Sequence, residues 1–557
     1  MTQSLKPCLK LLVIGGVAAG ASCAARARRL DENAQITVIE RGPDVSFANC
    51  GLPYHVGGEI PVRAALAVQT PASLNALLNI NVRTRCEAIR IDREEKRVQV
   101  RNLLDGSSEW LSYDKLMLAP GASPIRPNIP GIDDARIQTL RSLEDMDRIV
   151  AATETGMRAV AIGAGFIGLE MAEQLQRKGL SVELVELQDQ VLPQLDKKMT
   201  LLLESELKQH GVGVTLGDGI ERFVSTDSAL ECHLRSGKVL QADFVVLSMG
   251  VRPDTQLALD AGLKLGPRAH IVVNAFQQTS DLDIYAAGDA VETGELVFGG
   301  RTALPMGGPA NRQGRIAADH MLRPDIARPY PGSLGTAIVR VFDVAAGVTG
   351  WTEKRAREAG HACASVTVND HQHATYFPGA KPLTLKLVWD PESGRVLGGQ
   401  ATGAEGVDKR LDVLAACIMG KATIDDLCHL ELAYAPPFGS AKDIINLAGF
   451  AACNLRDGLV VQAEELPSGE TQIVDVRAKP VADAFPLPGS INIPFGMLRS
   501  NLDKLDRSKP VVTVCTFGKM SYFAARVLAQ NGFTVRSYSG GIKGNLDPRS
   551  PAKLPTA

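Results

Sequence analysis

The sequence predicts an α/β protein made of two nucleotide-binding βαβ units, a middle region and a small α/β domain at its C-terminal end. Three observations predict this. A glycine-bearing turn between a β-branched strand and a small-residue helix occurs twice, each time followed by a second strand that ends in glutamate. Two Pro- and Gly-bearing stretches, 322–335 (LRPDIARPYPGSLG) and 455–470 (LRDGLVVQAEELPSGE), interrupt helical and strand periodicity and read as boundaries. Beyond them the chain returns to alternating strand and helix patterns.

In chain order, the first unit has a strand and turn at 11–16 (LLVIGG), a helix from Ala18 to Leu30 and a strand at 36–40 ending in Glu40. The second has a strand at 159–162, the turn Gly163–Ala164–Gly165–Phe166–Ile167–Gly168, and a strand at 182–186 ending in Glu186. The C-terminal piece reads as strands at 473–476, 511–515 and 534–538, with a helix from about Ser521 to Asn531.

Composition narrows the function classes. At 557 residues the chain exceeds one core, and the usual ~100–200 residues per domain implies about three to five. A formal charge of -2 offers no field for nucleic acid, so no nucleic-acid partner is expected. Ten cysteines without paired spacing argue for a reducing compartment, and the cytoplasm is expected. Lys6 and Lys10 before the apolar run 11–25 imitate a signal peptide, but that run carries the first glycine turn. No other stretch approaches the ~18 apolar residues of a membrane span, so no membrane association is expected.

A glycine turn before a helix lets the backbone approach a pyrophosphate, whose charge then sits at the positive helix end, while the acid after the second strand holds a ribose. In the first unit Gly15 and Gly20 fit, Val17 stands at the middle glycine position, and Glu40 lies 25 residues after Gly15. The second unit fits throughout with Gly163, Gly165, Gly168 and Glu186. An acid on the ribose favours an unphosphorylated 2′-hydroxyl, hence NADH, with NADPH still possible. Two dinucleotides in one chain are most economically a nicotinamide and a flavin that accepts its hydride.

The segment 279–289 (TSDLDIYAAGD) resembles the second FAD fingerprint of the pyridine nucleotide-disulfide oxidoreductases, as do the domain crossings 118–122 (LAPGA) and 247–253 (LSMGVRP). The resemblance runs from about residue 9 to 455. It implies two Rossmann-like domains: 1–118 plus 248–325 for FAD, and 119–247 for NAD. A dimerisation domain of α+β type would occupy 326–455. It also implies that Gly15, Val17, Ala18, Gly20, Glu40, Arg41, Gly121 and Asp289 hold FAD, Asp289 on the ribitol.

Within that family 46–58 (SFANCGLPYHVGG) resembles the single-cysteine branch, most closely the coenzyme A-disulfide reductases. Dithiol relatives carry a second cysteine five positions before the flavin-side one. Here that position is Val45, and five positions after Cys50 stands His55. The other sulfur must then come from the substrate, as a mixed disulfide, or from oxygen chemistry, as a sulfenic acid. The NADH oxidase and peroxidase relatives carry a histidine three positions after Gly15, where this chain has Ala18. An oxidase or peroxidase is therefore the runner-up.

Coenzyme A carries phosphates, and the first helix offers Arg26, Arg28 and Arg29 near the Cys50 loop. Carried over from the resemblance, the substrate contacts are Ser22, Arg26, Arg29, Ser46, Asn49, Asn311 and Lys442. In the middle domain, 373–379 (HATYFPG) and 432–442 (LAYAPPFGSAK) also resemble the reductases. They imply that Tyr376 and Tyr434 reach the partner subunit's active site in a homodimer, where a phenol could protonate the departing thiolate. His371 and His373, two apart in an expected loop, lack further ligands, and no metal is expected.

Residues 456–557 resemble rhodanese through 473–477 (IVDVR) and 488–494 (PGSINIP), with Cys515 after a strand at the head of a loop leading to a helix. Such a loop stabilises a thiolate carrying a persulfide. The loop CTFGKMS has Met520 where an arginine is common, leaving Lys519 as a substitute charge. Together these readings imply an NADH-dependent, FAD-containing reductase of CoA disulfide, CoA persulfide or polysulfide. CoA would serve as substrate or retained shuttle, Cys50 as the attacking sulfur and Cys515 as the handler of sulfane sulfur. A sulfurtransferase or sulfur carrier regenerated by the flavin part is the rival of another class.

Overall fold

The computed structural model describes residues 8–467 and 469–543. They gather into two units: the chain up to Leu187 with Asp218–Leu334, and Gln188–Gly217 with the chain from Gly335 onward.

The first unit opens with β1 (Lys10–Ile14), α1 (Ala19–Leu30), β2 (Gln35–Ile39), α2 (Leu52–Val56), β3 (Asn81–Arg83) and β4 (Lys115–Leu118). It continues through β5 (Ile137–Thr139), β6 (Arg158–Ile162), α3 (Phe166–Arg177), β7 (Ser181–Glu186), β8 (Phe244–Leu247), β9 (Ile284–Ala286) and α4 (Gly307–Leu322). One parallel sheet has the order β9-β4-β1-β2-β3. In another, β7, β6, β8 and β5 are successive parallel neighbours. The central strands β1 and β8 read as apolar runs because both their faces are covered: Leu11, Leu12, Val13 and Ile14 in β1 and Phe244–Leu247 in β8 are all buried.

Apart from Arg28 near its end, helix α1 buries small residues, Ala19, Gly20, Cys23, Ala24 and Ala27, so neighbouring backbone can come close. Helix α4 meets it with Ala310, Gly314, Ala317 and Ala318. Gly314 is required there, since a Cβ would lie 2.1 Å from the Ala19 carbonyl oxygen. Arg28 is buried and donates to the carbonyls of Leu78, Asp31, Glu32 and Asn79. It therefore ties off the end of α1 and is not one of the surface cations expected near the Cys50 loop.

The second unit contains an antiparallel sheet, β10 (Ala337–Val341), β11 (Val344–Gly350), β12 (Ala364–His371), β13 (Pro382–Trp389) and β14 (Val396–Gly403), in the order β10-β11-β14-β13-β12. His371, expected in a loop, is the last residue of β12, where it pairs with Pro382. The long β12–β13 ladder of backbone hydrogen bonds carries the strand past the point where polar residues suggest a loop. Helices α5 (Val407–Met419) and α6 (Ile444–Arg456) follow; Asp443 caps α6 and is bound by the buried Arg410 at 2.6 Å. Inside the unit Lys386 bridges Asp196 (2.8 Å) and Glu353 (2.6 Å).

The C-terminal part holds β15 (Gln462–Ala463), β16 (Gln472–Asp475), β17 (Ser490–Asn492), β18 (Val511–Val514), α7 (Lys519–Gln530) and β19 (Val535–Tyr538). Its strands form a parallel sheet in the order β15-β19-β18-β16-β17. The stretch 455–470 is thus not wholly irregular: α6 runs to Arg456, and β15 is an edge strand too short to show a period. Helix α7 starts two residues before its predicted position. Gly518, at φ +91°, turns the chain straight from the Cys515 loop into the helix.

Candidate active site

The first glycine turn is fixed by sterics. A Cβ at Gly15, whose φ is +93°, would lie 2.0 Å from the Ala119 carbonyl oxygen, and one at Gly20 would lie 1.9 Å from the Gly15 oxygen. Ala18 precedes α1 at φ +47°, an uncommon conformation for a residue with a Cβ. Neither a side-chain cap nor an acid occupies the first turn of α1, so its amides face outward. The helix at Leu143–Thr155 behaves otherwise, with a Ser142 capping box and Glu144 and Asp145 in its first turn. Glu40 accepts from the Gly16 N–H and the Gly42 N–H, both at 2.8 Å, which holds its carboxylate beside the turn with lone pairs left for a ribose. Arg41 is exposed, 3.4 Å from Asp254.

The second turn repeats the design. A Cβ at Gly163 would lie 2.4 Å from the Ser248 oxygen, and one at Gly168 1.8 Å from the Gly163 oxygen. Gly165 precedes α3, again with no side-chain cap and no acid in the first turn. Glu186 accepts from the Ala164 N–H at 2.7 Å. Ser248, which sequence reading passed over inside the 247–253 crossing, has a buried hydroxyl without a hydrogen-bond partner at the lip of this turn. Both turns fit dinucleotides: each offers free amides, room that only glycine leaves, and a held carboxylate.

Cys50 lies in the short turn Asn49–Gly51 leading into α2. The residue is exposed, yet enough protein surrounds the sulfur that desolvation is the first cause of a raised thiol pKa. The Glu170 and Asp289 carboxylates add to the rise, while the Arg141 guanidinium and a backbone hydrogen bond oppose it. Arg141 binds Asp289 at 3.0 Å and lies beside Gly121, whose φ of +76° accounts for the glycine at that crossing. Tyr54 in α2 donates to Glu170 in α3 at 3.1 Å, tying the Cys50 loop to the helix of the second turn. Arg141 and Glu170 carry no sequence signature; only the fold brings them to Cys50. By contrast, burial pushes the Cys23 and Cys232 thiols up to about 12, leaving them inert packing groups.

Among the residues expected to contact CoA, Ser22 donates to Asn311 at 2.6 Å, so these two are brought together. Arg26 binds Asp319 at 2.6 Å, which neutralises part of its charge, and Arg29 is exposed. Ser46 takes φ +45°, and its N–H donates to the Gly16 oxygen, joining the Cys50 loop to the first turn. The Asn49 side-chain oxygen is buried without a partner, as at a place meant for a ligand's donor. Lys442, in the second unit, is exposed.

Tyr376 and Tyr434, 58 residues apart in sequence, share a 2.7 Å hydrogen bond between their hydroxyls. They stay 73% and 48% exposed, an unusual state for two aromatic rings within one fold. Their hydrogen bond is the main cause of a raised Tyr376 pKa.

Cys515 is buried at the end of β18. Its sulfur accepts from the Gly518 N–H at 3.1 Å and the Ser521 N–H at 3.2 Å. Lys519 is exposed, whereas Lys543, missed in the sequence, sets its ammonium 5.1 Å from the centre of the Phe517 ring in the same loop. Burial lowers the Lys543 pKa.

Residues 9–314 match the pyridine nucleotide-disulphide oxidoreductase family, 336–443 its dimerisation domain and 461–546 the rhodanese-like domain. The coenzyme A disulfide reductase of Staphylococcus aureus (strain JH9) is 34% identical over 446 residues, 80% of this chain and 99% of that protein. Reduced Bacillus anthracis CoADR-RHD is 40% identical and covers 97% of this chain and 98% of its own, with a TM-score of 0.92. The NAD-dependent persulfide reductase from A. fulgidus is 39% identical and covers 97% of this chain and 100% of its own, with a TM-score of 0.93. Among the described residues, no helix is long and apolar enough to cross a membrane.

Proposed function

Because this chain belongs to the pyridine nucleotide-disulphide oxidoreductase family, we propose that it is an NADH-dependent flavoprotein that reduces coenzyme A disulfide or coenzyme A persulfide. The carrying observation is Cys50 itself, exposed on a short turn between the two nucleotide units, with Val45 and His55 where a dithiol partner would stand. When bound, the flavin takes hydride from the nicotinamide and supplies the electron pair that reopens a disulfide at Cys50.

The chain's own residues do the rest. The Cys50 thiolate attacks a substrate sulfur; a new S–S bond forms, the old one breaks, and the partner leaves as CoA thiolate or hydrosulfide. Arg141 and Asp289 set the charge around that sulfur. Ser22, Asn311, Arg26, Arg29, Ser46 and Asn49 line the approach of an anionic nucleotide thiol, and Glu186 selects the unphosphorylated ribose of NADH. The Tyr376–Tyr434 pair supplies a proton to the departing sulfur across a homodimer, where Lys442 also meets CoA. Cys515 takes up sulfane sulfur and hands it to CoA. Ten free cysteines suit a reducing, cytoplasmic setting.

The test is an anaerobic NADH assay with CoA disulfide, CoA persulfide and polysulfide. Cys50→Ser should abolish all three activities while NADH still bleaches the flavin. Cys515→Ser should lose only turnover that starts from a sulfane donor. Substrate turnover surviving Cys50→Ser would overturn the reading.

A further inference from the structure

The Cys515 loop is held from outside the rhodanese-like segment. Asn369, on β12 of the antiparallel sheet, spends both hydrogens of its side-chain amide there, donating to the Gly540 oxygen at 2.8 Å and the Phe517 oxygen at 3.2 Å. Its own oxygen accepts from Thr384 at 2.6 Å, the residue directly across the ladder on β13, so the amide cannot flip without losing a bond. The Phe517 ring meets His371, two residues along β12, at 6.4 Å between centroids.

The peptide bond between Phe517 and Gly518 is planar and trans, so its C=O and N–H point to opposite sides. Its oxygen is the one bound by Asn369, and its N–H is the one that donates to the Cys515 sulfur at 3.1 Å. Fixing one end of this rigid plate fixes the other. Close packing supports the plate as well: a Cβ at Gly541 would lie 2.4 Å from the Gly518 nitrogen.

We propose that Asn369 is a positioning residue for Cys515: by gripping the Phe517 carbonyl it aims the Gly518 N–H at the sulfur and so favours the thiolate. The anion-stabilising loop of the rhodanese-like segment is then completed by the dimerisation segment, and sulfur uptake at Cys515 depends on the two being packed together. This gives physical content to the fusion, and it rests on the sulfur-handling role of Cys515 for its purpose though not for its geometry. The titratable groups around the loop are His371 with Asp370 on β12, Lys519 at the start of α7, and Lys543 beyond β19.

The experiment measures iodoacetamide alkylation of Cys515 against pH in the full-length, flavin-loaded protein, read by peptide mass spectrometry, in the unsubstituted chain, Asn369→Ala and Thr384→Val. Loosening one hydrogen bond to a charged sulfur should make Asn369→Ala react about tenfold more slowly at pH 7. The slowing should fade as pH rises, and the full rate should return at high pH. Thr384→Val should shift the profile the same way by less, and it decides the matter if Asn369→Ala does not fold. Superimposable profiles would overturn the proposal. So would a slowing by one factor at every pH, which marks altered access. No sulfur donor enters the assay, so a failed sulfur relay, seen as Cys515→Ser activity with a sulfane donor, is read separately.

Discussion

Replacing Gly168 by alanine should separate the two nucleotide sites. The new Cβ would sit 1.8 Å from the Gly163 carbonyl oxygen, about 1.2 Å inside the 3.0 Å that real Cβ atoms keep. The obstacle is backbone at φ +100°, not a side chain that can swing away, so α3 must lift from the turn. Overpacking of this kind costs about 3 kcal/mol at its upper end. Alanine returns about 1 kcal/mol through its better helix propensity. The remaining ~2 kcal/mol, charged to the geometry that receives the NADH pyrophosphate, corresponds to roughly 30-fold weaker binding. The assay is anaerobic flavin reduction at varied NADH, with flavin content measured by absorbance. Gly168→Ala should keep its flavin and need about 30-fold more NADH for half-maximal reduction. The matching Gly20→Ala should lose flavin instead, its Cβ falling 1.9 Å from the Gly15 oxygen. Unchanged NADH dependence in Gly168→Ala would refute the assignment of Gly163–Gly168 as the nicotinamide turn.

Tyr434→Phe removes the 2.7 Å partner of Tyr376, and kcat for CoA disulfide should fall at least about tenfold, as for a lost proton donor, with little change in flavin reduction by NADH. Lys386→Met leaves the Asp196 and Glu353 carboxylates facing each other, and urea unfolding of the second unit should show a loss of about 3–5 kcal/mol. Stability should also fall in acid through Glu353. Burial alone raises its pKa, but Lys386, Ser365 and Arg357 more than offset that, so the folded value lies below the ordinary one. Its contribution is therefore full above the ordinary carboxylate range and vanishes as pH drops through the depressed value. Melting temperatures taken from pH 7 down to pH 3 should show a shallower decline in Glu353→Gln.

The amino-acid sequence alone determined much of this protein, because some functions are written into contiguous residues. The two turns are legible since a pyrophosphate needs free amides, missing Cβ atoms and an acid at fixed offsets, and a local rule of that kind survives without the fold. Cys50 is legible through the resemblance carried by its contiguous segment 46–58, and the strand before Cys515 and the α/β class through local strand and helix patterns. Tertiary structure decided where each charge ends up. Arg28 reads as one of three helix cations, yet it is buried among backbone carbonyls because the chain at Leu78–Asn79 passes the end of α1. Lys519 stands nearest Cys515 in sequence, but at the start of α7 it is exposed, while Lys543, from beyond β19, sets its ammonium by the Phe517 ring of the Cys515 loop. Asn369 lies 148 residues from Phe517, and nothing local marks it. Hydrogen bonds and Coulomb forces act over a few ångströms of space, whereas a motif records only neighbours along the chain. The chemistry of each cysteine is thus named by its loop, and its tuning is set by residues that folding alone delivers.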